Sequence, residues 1–175
     1  MPIILALISA AAVAYFWMNR ARNAADLAGD LVNAANDVRL AARRFGFKRR
    51  ANIHPVEAIE DADVAVGALA VAFLELDDLP TADQRNVLED SLAKTLTLPT
   101  KDASELTVLG HWFVTECGTP SQAVARISRK LYKLNGADSF EPLVQVLGDI
   151  AAAGNGLSES QKDALEDVKR AFRIR

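Results

Sequence analysis

The chain has 175 residues, half of them hydrophobic and a quarter charged, with a formal net charge of −3. These proportions are ordinary for a globular chain, and no low-complexity tract interrupts it. The single cysteine, Cys117, excludes an intramolecular disulfide and fits the reducing cytosol.

The N-terminus begins with an uncharged run of 17 residues, from Pro2 to Met18. A bilayer core about 30 Å thick needs roughly 20 helical residues, with about 17 as the lower limit, so this run spans with little tilt. Three aromatic residues, 15–17, lie at its end beside Arg20, an order typical of a membrane interface with cations on the cytoplasmic side. We predict a transmembrane anchor over residues 1–18 of a single-pass protein, with the N-terminus outside and the rest cytoplasmic.

Two other interpretations of this run remain open. A cleaved signal peptide is one of them, because Ala12-Val13-Ala14 imitates a small-residue cleavage site. A signal peptide, however, has a positively charged segment before its apolar run, and here only the α-amine precedes it. The other interpretation is a buried helix of a soluble protein.

Residues 19–53 are predicted to form a basic juxtamembrane helix and a linker. Within residues 19–50 there are eight Arg or Lys against three Asp. Apolar residues recur here at steps of three and four, as in a heptad seam. They are Ala24, Leu27, Leu31, Ala34, Val38, Ala41 and Phe45. A weak parallel homodimer through residues 24–45 is one interpretation, and packing of the helix on its own domain is the other.

A basic cluster ends this segment and surrounds residues 45–47. Its members are Arg43, Arg44, Lys48, Arg49 and Arg50. Near an anionic inner leaflet each cation contributes about 1 kcal/mol of attraction, so we predict that the cluster contacts the surface of the lipid bilayer. Nucleic acid is not expected as a partner, because residues 51–175 carry twelve Arg or Lys against twenty Asp or Glu and would repel phosphates.

Residues 54–175 predict a compact bundle of about six helices with no strand. Pro55 suits a first helical turn, and an almost wholly apolar stretch continues this first helix to Leu76. We expect that helix at the centre of the bundle. The connections are short, which favours antiparallel neighbours.

Capping residues predict where the other five helices begin and end. Thr81 with Gln84 has the pattern of a capping box, and Ser158 with Gln161 repeats it. The other predicted caps are Thr100, Thr119 before Pro120, and Asp138, and the predicted ends are about Thr97, Cys117, Leu134, Ala153 and Phe172.

Two of these junctions are similar to each other. Phe73 to Asp90 reads FLELDDLPTADQRNVLED, and Asp149 to Asp167 reads DIAAAGNGLSESQKDALED. Each has an apolar helix, a tight polar turn, a Leu, a cap and a polar helix that ends in Leu-Glu-Asp. Over residues 57–173 this double pattern resembles the TerB-like domain of tellurite-resistance proteins, which is shared with the N-terminal region of DjlA-type membrane-anchored co-chaperones. The resemblance implies an all-α bundle.

The resemblance also implies a metal hypothesis, since divalent cations have been associated with turn carboxylates in some members of the family. The first turn offers Glu75, Asp77 and Asp78 as oxygen ligands for Ca²⁺ or Zn²⁺, whereas Gly154 replaces the family's Asp in the second. Ca²⁺ needs about six to eight oxygens, and no twelve-residue calcium loop is present. The expected form lacks a J domain, because Val follows the single His-Pro pair, which lies before the bundle.

Catalysis is not expected from this sequence. His54 and His111 are the only histidines, and His111 is about 240° from Cys117 around a helix. We therefore expect no cofactor and no enzyme activity, but an inner-membrane-anchored cytoplasmic interaction or sensing module of bacterial origin. It would bind an unknown protein partner and be linked to envelope or metal stress. The alternative is a divalent-metal sensor or buffer that uses the turn carboxylates, and a third is an enzyme with an unrecognised site.

Overall fold

The structure is a computed structural model that describes residues 33–77, 80–154 and 156–174. Within these ranges it is all-helical and has no strand, as the sequence predicts. The chain divides into two units, Met1–Asp37 and Val38–Arg175. In the first unit, residues 33–37 are described and are helical. Among the described residues no helix combines the length and the apolar character needed to cross a bilayer, and the predicted anchor at residues 1–18 lies outside them.

Seven α-helices and two short 3-10 turns make up the described part of the chain. The helices are α1 (residues 33–44), α2 (Ala62–Leu74), α3 (Ala82–Thr95), α4 (Thr100–Cys117), α5 (Pro120–Asn135), α6 (Phe140–Ala153) and α7 (Glu159–Ala171). The 3-10 turns are Pro55–Ala58 and Gly136–Ser139. The prediction of six helices after His54 is thus confirmed by α2 to α7.

Helix α2 lies at the centre, as its apolar sequence predicts. Every residue from Val64 to Leu74 is buried, and α2 contacts α3, α4, α5 and α6. Two glycines let α4 approach closely: a Cβ built on Gly67 would lie 2.5 Å from Leu106 Cγ, and one on Gly110 would lie 2.7 Å from Val71 Cγ2. The α2–α4 contact therefore depends on the absence of side chains at these two positions.

The predicted continuous helix from Pro55 to Leu76 is wrong at its start. The chain forms a 3-10 turn, and α2 begins only after Asp61. Asp61 has extended backbone angles, and its carboxylate accepts a hydrogen bond of 2.9 Å from the backbone N–H of Asp63. An Asp in this position can cap a new helix, and this local hydrogen bond starts α2 at Ala62 although the apolar periodicity begins earlier.

Three predicted caps are confirmed. The two capping boxes are present in full, with the backbone N–H of Gln84 bonded to Thr81 Oγ1 and that of Gln161 bonded to Ser158 Oγ. Thr119 accepts from the backbone N–H of Gln122, and Pro120 follows at the first helical position.

Two predicted caps are wrong. Helix α4 starts at Thr100 itself, because the carbonyl of Pro99 already accepts from Asp102 and Ala103. Asp138 lies inside the second 3-10 turn, which positive-φ Gly136 begins, so α6 starts only at Phe140. The predicted helix ends agree with the structure to within two residues.

The second unit begins in α1, whose residues from Val38 onward pack on the bundle. Ala41 is fully buried, and Val38, Ala42 and Phe45 lie against the hydrophobic core. Packing of this helix on its own domain is therefore present from Val38 to Phe45. The homodimer stays a prediction, since most of residues 24–45 lie in the other unit or outside the described ranges.

Candidate functional site

The two similar turns meet in the structure through the glutamines of their capping boxes. Gln161 is fully buried, and its Oε1 accepts from the backbone N–H of Ser158 at 3.2 Å. Its Nε2 donates to Asp77 Oδ2 at 3.0 Å. The start of α7 is therefore bonded to the turn after α2.

Gln84 has the corresponding position on α3 and faces the other turn. Its Oε1 accepts from the backbone N–H of Thr81 at 2.9 Å. Its Nε2 would lie 2.7 Å from a Cβ built on Gly154, in the second turn. The amide of Gln84 thus occupies the space that a side chain at residue 154 would need.

The residues predicted to bind metal contact different parts of the bundle. Glu75 Oε1 contacts His111 Nδ1 on α4, whereas Asp77 accepts from Gln161 on α7. Asp78 lies outside the described residues. In the part of the chain that is described, no three His, Cys, Asp or Glu side chains cluster as a metal site would require. The metal site stays a prediction.

Three arginines of the basic cluster contact acidic residues of the bundle. The guanidinium of Arg44 pairs with Glu105 at 2.6 Å and also with Asp102. Arg49 pairs with Glu116 at 3.4 Å. Arg50 pairs with Glu60, just before α2. Arg43 and Lys48 are exposed and have no salt bridge within the described ranges.

An aromatic contact holds the same segment. The Phe47 ring lies edge-on to Trp112 and Phe113 of α4, with centroid distances of 5.6 and 5.0 Å. The Arg49 guanidinium lies 5.7 Å from the centroid of the Trp112 ring. We call residues 38–50 the docked segment. Sequence reasoning identified its cations and missed the partners, which are 58 or more residues away for Arg44 and Arg49.

A cavity of about 530 Å³ lies between residues 45–50 and residues 58–64. Lys48 and Arg50 line it together with Glu60 and Asp61. Asp63, two residues after Asp61 in the sequence, is half-buried. Burial raises the pKa of the Asp63 carboxyl, and the adjacent Asp61 carboxylate raises it further.

A second surface, which sequence reasoning missed, lies along α5. One cavity of about 450 Å³ lies between α5 and α7, another of about 230 Å³ lies between α5, Cys117 and His54, and the two share Ala125 and Arg129. We call them together the α5–α7 groove. Its lining residues are His54, Cys117, Gln122, Ala125, Arg126, Arg129, Asp167, Arg170, Ala171 and Arg173. The available signal was the charge of α5, which carries four Arg or Lys and no Asp or Glu.

Cys117 and His54 lie at one end of the α5–α7 groove. His54 Nδ1 accepts from the backbone N–H of Val56, and its Nε2 lies 3.2 Å from the carbonyl oxygen of Glu116. Burial raises the pKa of the Cys117 thiol, whereas the charge of Arg126 lowers it. The other histidine, His111, contacts Glu75. The sequence predicts that His111 and Cys117 do not share a helix face.

No protein-family model, curated protein or solved structure matches this chain. The TerB-like resemblance therefore stays an expectation from the sequence.

Proposed function

We propose that this chain is an inner-membrane protein with one N-terminal anchor, whose cytoplasmic bundle is an interaction or sensing module linked to envelope or metal stress. The anchor and its orientation follow from the pattern of residues 1–18. A bacterial origin and the link to stress follow from the TerB-like resemblance. The observation that carries the proposal is the docked segment.

The docked segment attaches the chain to the bundle mainly through apolar contacts. Ala41 is fully buried, and Phe47 meets two aromatic rings of α4. Each aromatic pair contributes about 0.5–1.5 kcal/mol beyond the buried area. The exposed ion pairs contribute about 0.2–1 kcal/mol each and fix the register of the segment. Because the docked segment lies between the predicted anchor and the bundle, its contacts hold the bundle in one orientation relative to that segment. The bundle can then present one fixed binding surface.

The same contacts divide the basic cluster. Arg44, Arg49 and Arg50 pair with acidic side chains of the bundle, which offsets their positive charge, whereas Arg43 and Lys48 have no salt bridge within the described ranges. Two cations supply roughly 2 kcal/mol of attraction to an anionic leaflet, which is too little for stable attachment. Membrane retention should therefore depend on residues 2–18.

Fractionation of bacterial cells that express the full chain or a form lacking residues 2–18 tests the proposal. We expect the full chain to stay in the membrane pellet after alkaline extraction and the truncated form to be released. A full-length Arg43→Gln/Lys48→Gln variant is the control and should stay in the pellet. A truncated form that remains in the pellet would contradict the anchor, and protease access in inverted vesicles but not in spheroplasts would support the orientation.

The alternative, a divalent-metal sensor or buffer, uses Glu75, Asp77 and Asp78. Calorimetric titration of the full chain with CaCl₂ and with ZnCl₂, beside an Asp77→Asn/Asp78→Asn variant, separates the two functions. Saturable binding tighter than about 1 mM that the variant loses would favour the metal sensor. Weaker binding that is equal in both proteins would reject it.

A further inference from the structure

The α5–α7 groove concentrates positive charge on a chain that is acidic as a whole. Arg126 and Arg129 lie on α5, Arg170 lies near the end of α7, and Arg173 follows that helix. The chain carries a net charge of −3. Clustered cations on an acidic protein attract an anionic partner to one place on the surface.

Arg129 and Arg170 of the α5–α7 groove are available to a ligand. Arg129 is exposed and has no salt bridge within the described residues. Arg170 pairs with Asp167 at 2.9 Å, one helical turn away, with 78% of its side chain exposed. Such a pair contributes only a few tenths of a kcal/mol, so a ligand can replace it at little cost.

Arg173 is held in position by an aromatic ring. Its guanidinium lies 5.3 Å from the centroid of the Tyr132 ring, and Tyr132 in turn packs edge-on against Phe172. Stacking on a ring limits the rotamers of an arginine while its N–H groups stay open to a ligand. Less conformational entropy is then lost on binding.

We propose that the α5–α7 groove binds an acidic peptide segment of a partner protein. This inference rests on the proposed function, since it names the kind of partner that the interaction module recognises. Each guanidinium can form paired hydrogen bonds with a carboxylate. Ala125 and Ala171 line the groove and leave room for a peptide backbone between the arginines.

Negative charge beside the groove favours a peptide over a bilayer or a nucleic acid. Asp167 lines the groove itself, and Asp163 lies with Asp167 in the neighbouring cavity. A continuous polyanion, such as double-stranded DNA with a charge every ~1.7 Å of its helix axis, would contact these carboxylates as well as the arginines. A peptide with spaced Asp or Glu residues can contact the arginines while its own carboxylates stay away from Asp163 and Asp167.

Fluorescence anisotropy of the full chain in neutral detergent tests this proposal. The probe is a fluorescein-labelled 12-residue peptide of alternating Glu and Ala, and a Gln-Ala peptide is its uncharged counterpart. We expect saturable, salt-sensitive binding of the Glu-Ala peptide alone. Arg129→Gln/Arg173→Gln should weaken this binding at least tenfold, the loss expected when a charge-assisted contact is removed.

The matched control removes two cations elsewhere. Lys94→Gln/Lys101→Gln changes the net charge equally, on exposed positions of α3 and α4, and should change affinity less than twofold. An equal loss in the control would overturn the proposal, as would the absence of saturable binding. The single variant Arg129→Gln leaves the Tyr132 contact intact and should still lose affinity if the α5–α7 groove is the site.

Two further probes distinguish other anionic partners. They are vesicles of phosphatidylglycerol and phosphatidylcholine, and a 12-nucleotide single-stranded RNA. Tighter binding of either probe than of the Glu-Ala peptide, with the same dependence on Arg129, would overturn the assignment to a peptide. The groove variant should remain in the membrane pellet, so failure of this inference is distinguishable from failure of the anchor.

Discussion

The side-chain amide of Gln161 donates a hydrogen bond to the carboxylate of Asp77, 3.0 Å away and 84 residues earlier in the chain. The same glutamine closes the capping box with Ser158 and is fully buried. One side chain therefore joins the start of α7 to the turn after α2.

Replacement of Gln161 by Ala should destabilise the bundle strongly. The variant loses half of a capping box and leaves the half-buried Asp77 carboxylate and the backbone N–H of Ser158 without this partner, at a cost of about 2–4 kcal/mol. Urea unfolding followed by circular dichroism measures the free energy of unfolding. Gln145→Ala, at an exposed position of α6, is the control and should change it by no more than about 0.5 kcal/mol. Equal effects would contradict a special role for Gln161.

The capping boxes show what could be predicted from the sequence. The Thr-x-x-Gln and Ser-x-x-Gln patterns are local, because each cap bonds within three residues. The bond from Gln161 to Asp77 depends on how two distant hairpins pack, and no local pattern carries that information. The sequence pattern did not predict the break before α2, because the apolar periodicity continues past Asp61. The backbone there is set by a single side-chain cap, that of Asp61 on the N–H of Asp63.

Replacement of Gly110 by Ala should destabilise the contact between α2 and α4. The added Cβ would lie 2.7 Å from Val71 Cγ2 and 3.3 Å from the backbone Cα of Ala68. Such overpacking costs about 1–3 kcal/mol, whereas Ala gains about 1 kcal/mol over Gly in helix propensity. The net effect should be a loss of up to about 2 kcal/mol in the free energy of unfolding measured with urea.

Gly148→Ala is the matched control for that variant. Gly148 also lies inside a helix, but it is exposed and nothing lies within 4 Å of a Cβ built there. Propensity alone should then act, with a gain of about 0.5–1 kcal/mol. The two Gly→Ala changes should therefore have opposite signs, and a gain from both would contradict the close α2–α4 packing.

Replacement of Asp63 by Asn should change how stability depends on pH. Burial, and then the charge of Asp61, raises the pKa of Asp63 above its ordinary value of 3.8. A raised pKa in the folded state means that its contribution to stability is complete below about pH 3.8 and is lost as the pH rises through the raised pKa. Asn imitates the protonated carboxyl, so Asp63→Asn should be more stable than the wild type at pH 7 and not at pH 3.

Asp83 provides the control for this comparison. It is the second residue of α3, as Asp63 is of α2, but it is exposed. Asp83→Asn removes a favourable charge near a helix N-terminus and should show no gain at pH 7. Urea midpoints between pH 3 and pH 7 give the comparison. Parallel pH profiles for wild type and Asp63→Asn would contradict the prediction.

The candidate site was harder to predict than the fold. The basic cluster was visible as a run of cations, but Asp102, Glu105 and Glu116 are spread over α4 and are brought to it only by packing. The α5–α7 groove is formed by two helices that are distant in sequence, since α7 begins 24 residues after the end of α5. The positive charge of α5 indicated one wall of the groove. No local sequence pattern indicated that α7 forms the other wall.

Replacement of Arg126 by Gln should slow the alkylation of Cys117. The thiol is half-buried, which raises its pKa, and the positive charge of Arg126 opposes this shift. Removal of that charge should raise the pKa further and reduce the thiolate fraction, so the rate with iodoacetamide at pH 7.5 should fall about two- to fivefold. Cys117 is the only cysteine in the chain, so whole-protein mass spectrometry follows the reaction directly.

Two controls separate charge from access to the thiol. Arg126→Lys keeps the charge but has a smaller head group, so its rate should stay near that of the wild type if electrostatics decide it. Arg85→Gln removes a cation from α3, where its guanidinium donates to the carbonyl of Pro80, and should leave the rate unchanged. In 6 M guanidinium chloride all four proteins should react alike, because the fold no longer holds Arg126 near Cys117. A faster reaction of Arg126→Gln in the folded state would mean that Arg126 shields the thiol and would contradict the electrostatic explanation.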